Sequence, residues 1–437
     1  MSLTITAPRI TRAKWSSERA FVLATAAAAV GLGNVWRFPY IAGENGGAAF
    51  IIAYIIAVLA VGIPLMIMEI SAGRIERGSP VKTFRSLFSY GGLFGWLVVG
   101  LTMLIMSYYL VITGWTMAYA VDSLTGTVQS FAEFTSGFSS IYYFLAVSLI
   151  TAVVVARGVS LIETLSKIMM PLFLLIILFL TGYSLFLPGA KEAMTFLFSP
   201  DFSSFLSPTL WVLAFGQAFY SLAIGQGYLI TYGSFLPEHT NLPRATGSIA
   251  GIETAIALIA GLMIFPLVFT FGLQPDQGAD LAFSTLPLAF ANIPFGAILA
   301  VAFFWLFFLA ALSSSIAGMQ VVKTALREEL RLTHTWATVA AFLPILPLGM
   351  LAALSFTPAE FTLFNRPFLE VLDMFAANQV VIVLGLVGGA IIAWTIPRHT
   401  VINGFSNRFR PYAAHVINTT KYLWVIVALI LFLSFIV

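Results

Sequence analysis

The feature that most constrains this chain is a succession of eleven apolar runs, each long enough to cross a bilayer, joined by short polar links. They fall near residues 18–40, 46–73, 92–124, 137–156, 160–187, 208–236, 243–272, 297–326, 334–355, 369–396 and 412–437, and we number them spans 1 to 11. A hydrocarbon core is crossed by about 20 apolar residues of α-helix. Composition agrees. Only 9% of the residues are Asp, Glu, Lys or Arg, against roughly 25% in a soluble domain, so the chain cannot clothe itself in a solvated surface. The expected fold is an all-α polytopic membrane protein with 11 transmembrane helices, a single transmembrane domain over 1–437. The finest division is between spans 4 and 5, at Arg157-Gly158. The longest polar stretches, such as Pro237–Arg244, are too short for a soluble domain.

Orientation follows from the basic residues, which stay on the cytoplasmic side. Arg9, Arg12, Lys14 and Arg19 precede span 1, and Arg74, Arg77, Lys82 and Arg85 follow span 2. Arg157, Lys167, Arg244, Lys323, Arg327, Arg331, Arg398, Arg408 and Arg410 fall on that same side, with Lys191 and Arg366 opposite. The expectation is a multi-pass protein of the cell (inner) membrane, N-terminus cytoplasmic and C-terminus outside. A cleaved signal peptide is disfavoured, because the apolar character continues past Arg37 to Tyr40.

Much chemistry is excluded. With no Cys there is no disulfide, thiol catalysis or Cys-ligated metal. No phosphate-binding G-x-x-x-x-G-K-[ST] loop is present. His239, His334, His399 and His415 are far apart. No Ser/His/Asp set falls at membrane depth, so an intramembrane enzyme is disfavoured. A net charge of +3, with its basic residues in short loops, argues against a nucleic-acid partner. Work done by such a chain draws on an ion gradient.

Two spans carry helix-breaking sequences at matching depth: Gly31-Leu32-Gly33-Asn34 in span 1 and Ser221 to Gly227 in span 6. Glycine costs a helix about 1 kcal/mol relative to alanine, and paired glycines let the backbone open. Close packing through small residues is the plainer reading of either site alone. Breaks five spans apart make spans 1–5 (about 18–187) and 6–10 (about 208–396) inverted repeats with discontinuous helices 1 and 6, leaving 412–437 as an extra helix. Secondary transporters are built this way. Freed carbonyls hold cations and freed N–H groups hold a carboxylate. Ionisable residues at membrane depth usually have a role; here they are Arg37, Glu69, Glu253 and Asp373. Ser313-Ser314-Ser315 offers hydroxyl oxygens to a hard cation, unless they simply bond back into their helix.

At these residues the sequence resembles the neurotransmitter:sodium symporter family, with the leucine-transporter fold, in its shorter prokaryotic eleven-helix branch. The resemblance is carried by Ala29-Val-Gly-Leu-Gly-Asn-Val-Trp-Arg-Phe-Pro39, Glu44-Asn-Gly-Gly47, Gly62-Ile-Pro-Leu-Met66 with Glu69, Trp115, Gly216-Gln-Ala-Phe219 and Ser313-Ser-Ser-Ile-Ala317. It implies two sodium sites. One would use Ala29, Asn34, Ser221 and Glu253 with the substrate carboxylate, and the other Ala27, Val30, Ala310, Ser313 and Ser314. Substrate would lie against Ala28, Ala29, Gly31, Gly33, Ile105, Tyr109, Tyr220, Ser221, Ala223, Gln226, Ser314 and Gly318, with Tyr109 bonding its carboxylate. Family members for monoamines have Asp where this chain has Gly31, so an amino acid is implied.

The resemblance also implies an outer gate, Arg37 with Asp373 above Tyr220, and an inner gate, Arg12 with Glu328 beside Trp15. Glu328 replaces the usual Asp. Gln226 stands where an aromatic or Met is common. Gly318 and Ala223 replace larger or polar residues, which implies a roomy pocket for a large hydrophobic or aromatic amino acid. In chloride-dependent members the anion is held by residues matching Tyr54, Gln217, Ser221 and the positions of Glu253 and Ala257. A carboxylate at 253 would replace chloride, so sodium alone is the expected coupling ion. The expected partners are amino acid and lipid, with the protein a monomer or weak homo-oligomer. The rival readings are a proton-coupled transporter, with Glu253 or Glu69 as the proton site, and a transport-dead amino-acid sensor.

Overall fold

A computed structural model describes residues 13–237, 239–273, 283 and 285–422. Among them, eight helices are long and apolar enough to cross a membrane. They are Ala48–Glu76, Gly91–Thr125, Ser139–Arg157, Val159–Ser184, Leu242–Thr270, Gly296–Glu329, His334–Leu354 and Phe368–Thr395, matching spans 2–5 and 7–10. Span 1 adds a ninth only as a bent pair, Glu18–Ala29 and Gly33–Glu44, at 52° to each other. Span 6 is divided into Pro208–Ser221 and Tyr228–Gly233, each too short to cross alone. Span 11 is helical over 410–422, and its remainder, 423–437, lies outside the described residues. Among the described residues the tally is thus eight, or nine with the bent pair counted as one span.

Local sequence sets the boundaries. The Ser17 side chain caps the first helix by accepting the Ala20 amide, satisfying one of its orphan donors. Gly158, at φ +80, separates spans 4 and 5, because a helix cannot continue through that conformation. Ser79 and Pro80 start a short helix, Pro80–Leu87, in the link between spans 2 and 3. Thr362–Leu363 and Arg366–Pro367 form a hairpin between spans 9 and 10, its two-residue turn held by Phe364 and Asn365 at positive φ.

The bundle turns large apolar residues outward, among them Leu93, Leu149, Leu175 and Leu343. Span 3 is packed by spans 4, 8 and 9. Spans 2 and 6 approach through glycine: a Cβ on Gly73 or Gly233 would strike the backbone of Ile230 or Ile70. Close backbone contact of this kind gives helix association in lipid its packing energy.

Candidate functional site

The break in span 1 is a set of diverted amides. A continuous helix would give the Gly31 N–H to the Ala27 carbonyl. Instead it donates to Asn34 Oδ1 at 3.2 Å. The Leu32 N–H, which would serve Ala28, donates to the Tyr109 hydroxyl at 3.1 Å, and the Ala28 carbonyl accepts from Ser314 Oγ at 2.9 Å. The Asn34 N–H goes to the Gly31 carbonyl at 3.1 Å rather than to Val30. The carbonyls of Ala27 and Val30 therefore lose their helical donors. Gly31 permits the crossing, since a Cβ there would lie 2.6 Å from Tyr109 Oη and closer still to Ser314 Oγ.

Span 6 opens differently. Ala223, Gly225 and Gly227 all have positive φ, and the Gly225 N–H donates to Glu69 Oε1 at 2.8 Å. Glu69, buried in span 2, thus satisfies a backbone donor of the unwound segment in the interior. Gly225 is also fixed by space, because a Cβ would lie 2.6 Å from Gly385. The Gln226 carbonyl accepts from Thr102 Oγ1 at 2.6 Å, and its amide nitrogen bonds back to the Tyr220 carbonyl at 3.3 Å.

Between the breaks lies a cavity of 20 Å³, about the room of one or two waters. Ala28, Ala29, Gly31, Gly33, Ile105, Tyr109, Tyr220, Ser221, Ala223, Gln226 and Ser314 line it, together with Met106 and Tyr228. Gly318, also expected beside the substrate, is not part of this lining. The space beside it is taken by the Tyr228 hydroxyl and the Met106 sulfur, so its missing side chain packs those two groups rather than enlarging the pocket. Met106 and Tyr228 escaped the sequence reading. The only hint was that Tyr228 directly follows the last glycine of the break.

A second, smaller cavity is lined by Ala27, Val30, Ala310 and Ser313, with Met169, Met170 and Phe173 of span 5. Both freed carbonyl residues are there. Ser313 Oγ donates to the Ala310 carbonyl at 2.9 Å. Ser314, one residue on and about 100° around the helix, lines the central cavity, where it was also expected to meet substrate.

Around Asn34 the spans converge. Asn34 Nδ2 donates to Glu253 Oε1 at 2.6 Å and to the Glu253 carbonyl at 3.2 Å. The Tyr54 hydroxyl lies 2.8 Å from both Glu253 carboxylate oxygens and 3.2 Å from Ser221 Oγ. Glu253 is completely buried. Gln217 is not in this cluster. It accepts from Arg37 Nη1 at 2.9 Å and donates to the Gly33 carbonyl at 2.7 Å.

Arg37 lies 4.9 Å above the Tyr220 ring and within electrostatic reach of Asp373. At the other end, Trp15 is buried, donates from Nε1 to the Tyr232 carbonyl at 3.0 Å, and packs against the Tyr232 ring. Glu328 accepts the Ser79 amide at 2.7 Å. Arg12 lies outside the described residues.

Known proteins share this architecture. The solved structure of MhsT in complex with L-phenylalanine matches with a TM-score of 0.88 at 34% identity, covering 97% of this chain and 99% of that one. An uncharacterized sodium-dependent transporter of Bacillus subtilis, YhdH, is 35% identical over 401 residues, 88% of this chain and 87% of its own. An uncharacterized sodium-dependent transporter of Haemophilus influenzae is 31% identical over 455 residues, 97% of this chain and 98% of its own. The sodium- and chloride-dependent GABA transporter 2 of Bos taurus is 26% identical over 376 residues, 72% of this chain and 62% of its own. These relatives are transporters, not enzymes. With residues 12–140 and 137–437 matching its pattern, the chain belongs to the sodium:neurotransmitter symporter family.

Proposed function

We propose that this protein carries an amino acid into the cell together with sodium, by alternating access. The observation that carries this reading is the diverted backbone of span 1. Two helical carbonyls, Ala27 and Val30, share a small cavity with Ser313, an oxygen set suited to a hard monovalent cation. The other side of the same break presents the Tyr109 hydroxyl and Ser314 to the central cavity, where a substrate carboxylate would bond. Asn34, Ser221, the Ala29 carbonyl and Glu253 would hold a second sodium against that carboxylate. Eleven spans in inverted five-helix repeats fit the paired breaks in spans 1 and 6. Arg37 with Asp373 would act as the outer gate, and Glu328, Arg12 and Trp15 as the inner one. The spans and charges favour an inner-membrane protein with its N-terminus inside, and we take it to be a monomer or weak homo-oligomer.

For the substrate we favour a large hydrophobic or aromatic amino acid. The mostly apolar and aromatic lining supports this, as does the phenylalanine complex of MhsT. For the anion, Glu253 supports independence from chloride. A carboxylate about 4 Å from a cation contributes on the order of 4 kcal/mol at an effective dielectric of 20, charge that chloride would otherwise supply. The test is uptake of labelled amino acids into proteoliposomes under an inward sodium gradient, with unlabelled amino acids as competitors. Uptake driven by sodium, and blocked best by Phe, Trp or Leu, is expected. Uptake driven equally by a proton gradient without sodium would favour the proton-coupled reading, and binding without uptake the sensor.

A further inference from the structure

At the end of the bundle that the charge rule gives to the cytoplasm, a cavity of 720 Å³ opens. Its walls come from the segment before span 1, the link after span 2, the junction of spans 4 and 5, the end of span 6, the end of span 8 and the start of span 9. They hold Arg77, Lys82, Lys323, Arg327, Arg331 and His334, against one carboxylate, Glu328. Glu328 already accepts the Ser79 amide. Basic loops are ordinary on this side, but that rule concerns residues in water, and Lys323 is 1% exposed within span 8. Its ammonium donates to the Val155 carbonyl. No carboxylate pairs with Lys323, Arg327 or Arg331 among the described residues.

Lys323 and Arg327 are four residues apart on one helix, where like charges repel. A buried cation without a counter-charge is costly. Residues 1–12 carry Arg9 and Arg12 and no acid, so that segment adds none. Beside the cations, Gln320 Oε1 is buried with no hydrogen-bond partner, while its amide nitrogen donates to Thr324. Cations plus one free acceptor are the complement of an oxyanion that also carries a proton or a water.

We propose that this cavity is a binding site for a phosphate-type anion, held by Lys323, Arg327 and Arg331. Guanidinium forks and an ammonium are the groups that recognise phosphate. The volume lies within the range of about 300–1,000 Å³ typical of small-ligand sites, so a phosphate with an organic substituent fits. Two sources carry this chemistry: a soluble phosphate compound and the headgroup of an anionic lipid, which basic pockets between spans also bind. Because the walls belong to several segments, the bound anion would bridge the end of span 8 to the neighbouring cytoplasmic ends that line the same cavity.

The experiment uses full-length protein in phosphatidylcholine nanodiscs, with retention of radiolabelled orthophosphate measured at fixed sodium and ionic strength. Saturable retention is expected, weakened about tenfold in Lys323→Met and in Arg331→Glu. Arg331 is exposed, so its variant decides should Lys323→Met fail to fold. Stabilisation of each preparation by sodium and amino acid reports folding separately. A second set of nanodiscs contains phosphatidic acid. Loss of phosphate retention there assigns the site to a lipid headgroup, and retention in both sets assigns it to a soluble anion. Retention that does not saturate, or that is equal in wild type and both variants, overturns the proposal.

Discussion

The Asn34 side-chain amide donates to the Glu253 carboxylate at 2.6 Å, joining the broken part of span 1 to the middle of span 7. The Tyr54 hydroxyl reaches the same carboxylate at 2.8 Å. A carboxyl group, negatively charged when ionised, therefore stands beside the asparagine expected to ligate sodium.

That charge predicts chloride-independent transport. Wild-type uptake should be unchanged when chloride is replaced by gluconate, and Glu253→Ser should make uptake depend on chloride. Removing one partner of a buried charged cluster costs about 3–5 kcal/mol, so the melting temperature of the variant is measured alongside. Wild-type uptake that vanishes in gluconate would sink the idea.

Gly31→Ala should abolish substrate binding while leaving a folded protein. The added methyl would lie 2.6 Å from Tyr109 Oη and against Ser314 Oγ. Overpacking costs about 1–3 kcal/mol, which most domains survive. The check is ligand-induced stabilisation, expected to disappear in this variant. Normal binding by Gly31→Ala would mean the carboxylate sits elsewhere.

How much of this was legible in the sequence depends on the kind of contact. The break in span 1 was readable because Gly31, Gly33 and Asn34 are neighbours in the chain, and helix-breaking chemistry is local. Glu253 could be set near Asn34 only by resemblance and counting. Helix phase was harder: Ser313 and Ser314 were both expected at one oxygen set, and the structure puts Ser313 at the smaller cavity and Ser314 at the central one. Packing between distant helices was not readable at all. Nothing near Gly318 in the chain announces that Met106 and Tyr228 fill the space beside it. Gln217 matched an anion position, but it is bonded to Arg37, a choice set by where two side chains meet.

Gly318→Ile should shift preference toward small amino acids, because the new side chain must push Tyr228 and Met106 toward the central cavity. The expected penalty is about 1–3 kcal/mol from overpacking. A competition panel in the uptake assay reads the shift. Unchanged preference would show that those side chains relax away from the cavity.

Arg37→Gln and Asp373→Asn should weaken substrate retention more than expression. Arg37 also holds Gln217 and covers Tyr220, so its variant should lose more. Faster release of labelled substrate from the purified variants is the readout. Equal loss of expression and uptake in both would mark a structural pair instead.

The claim beneath all of these is that one break in one helix serves sodium and substrate together. It is tested most directly by titrating the best-competing amino acid at low and at high sodium. Linked sites typically couple by about 1–3 kcal/mol, so Kd should fall roughly 5- to 150-fold at high sodium. A Kd that does not change with sodium would contradict the shared site.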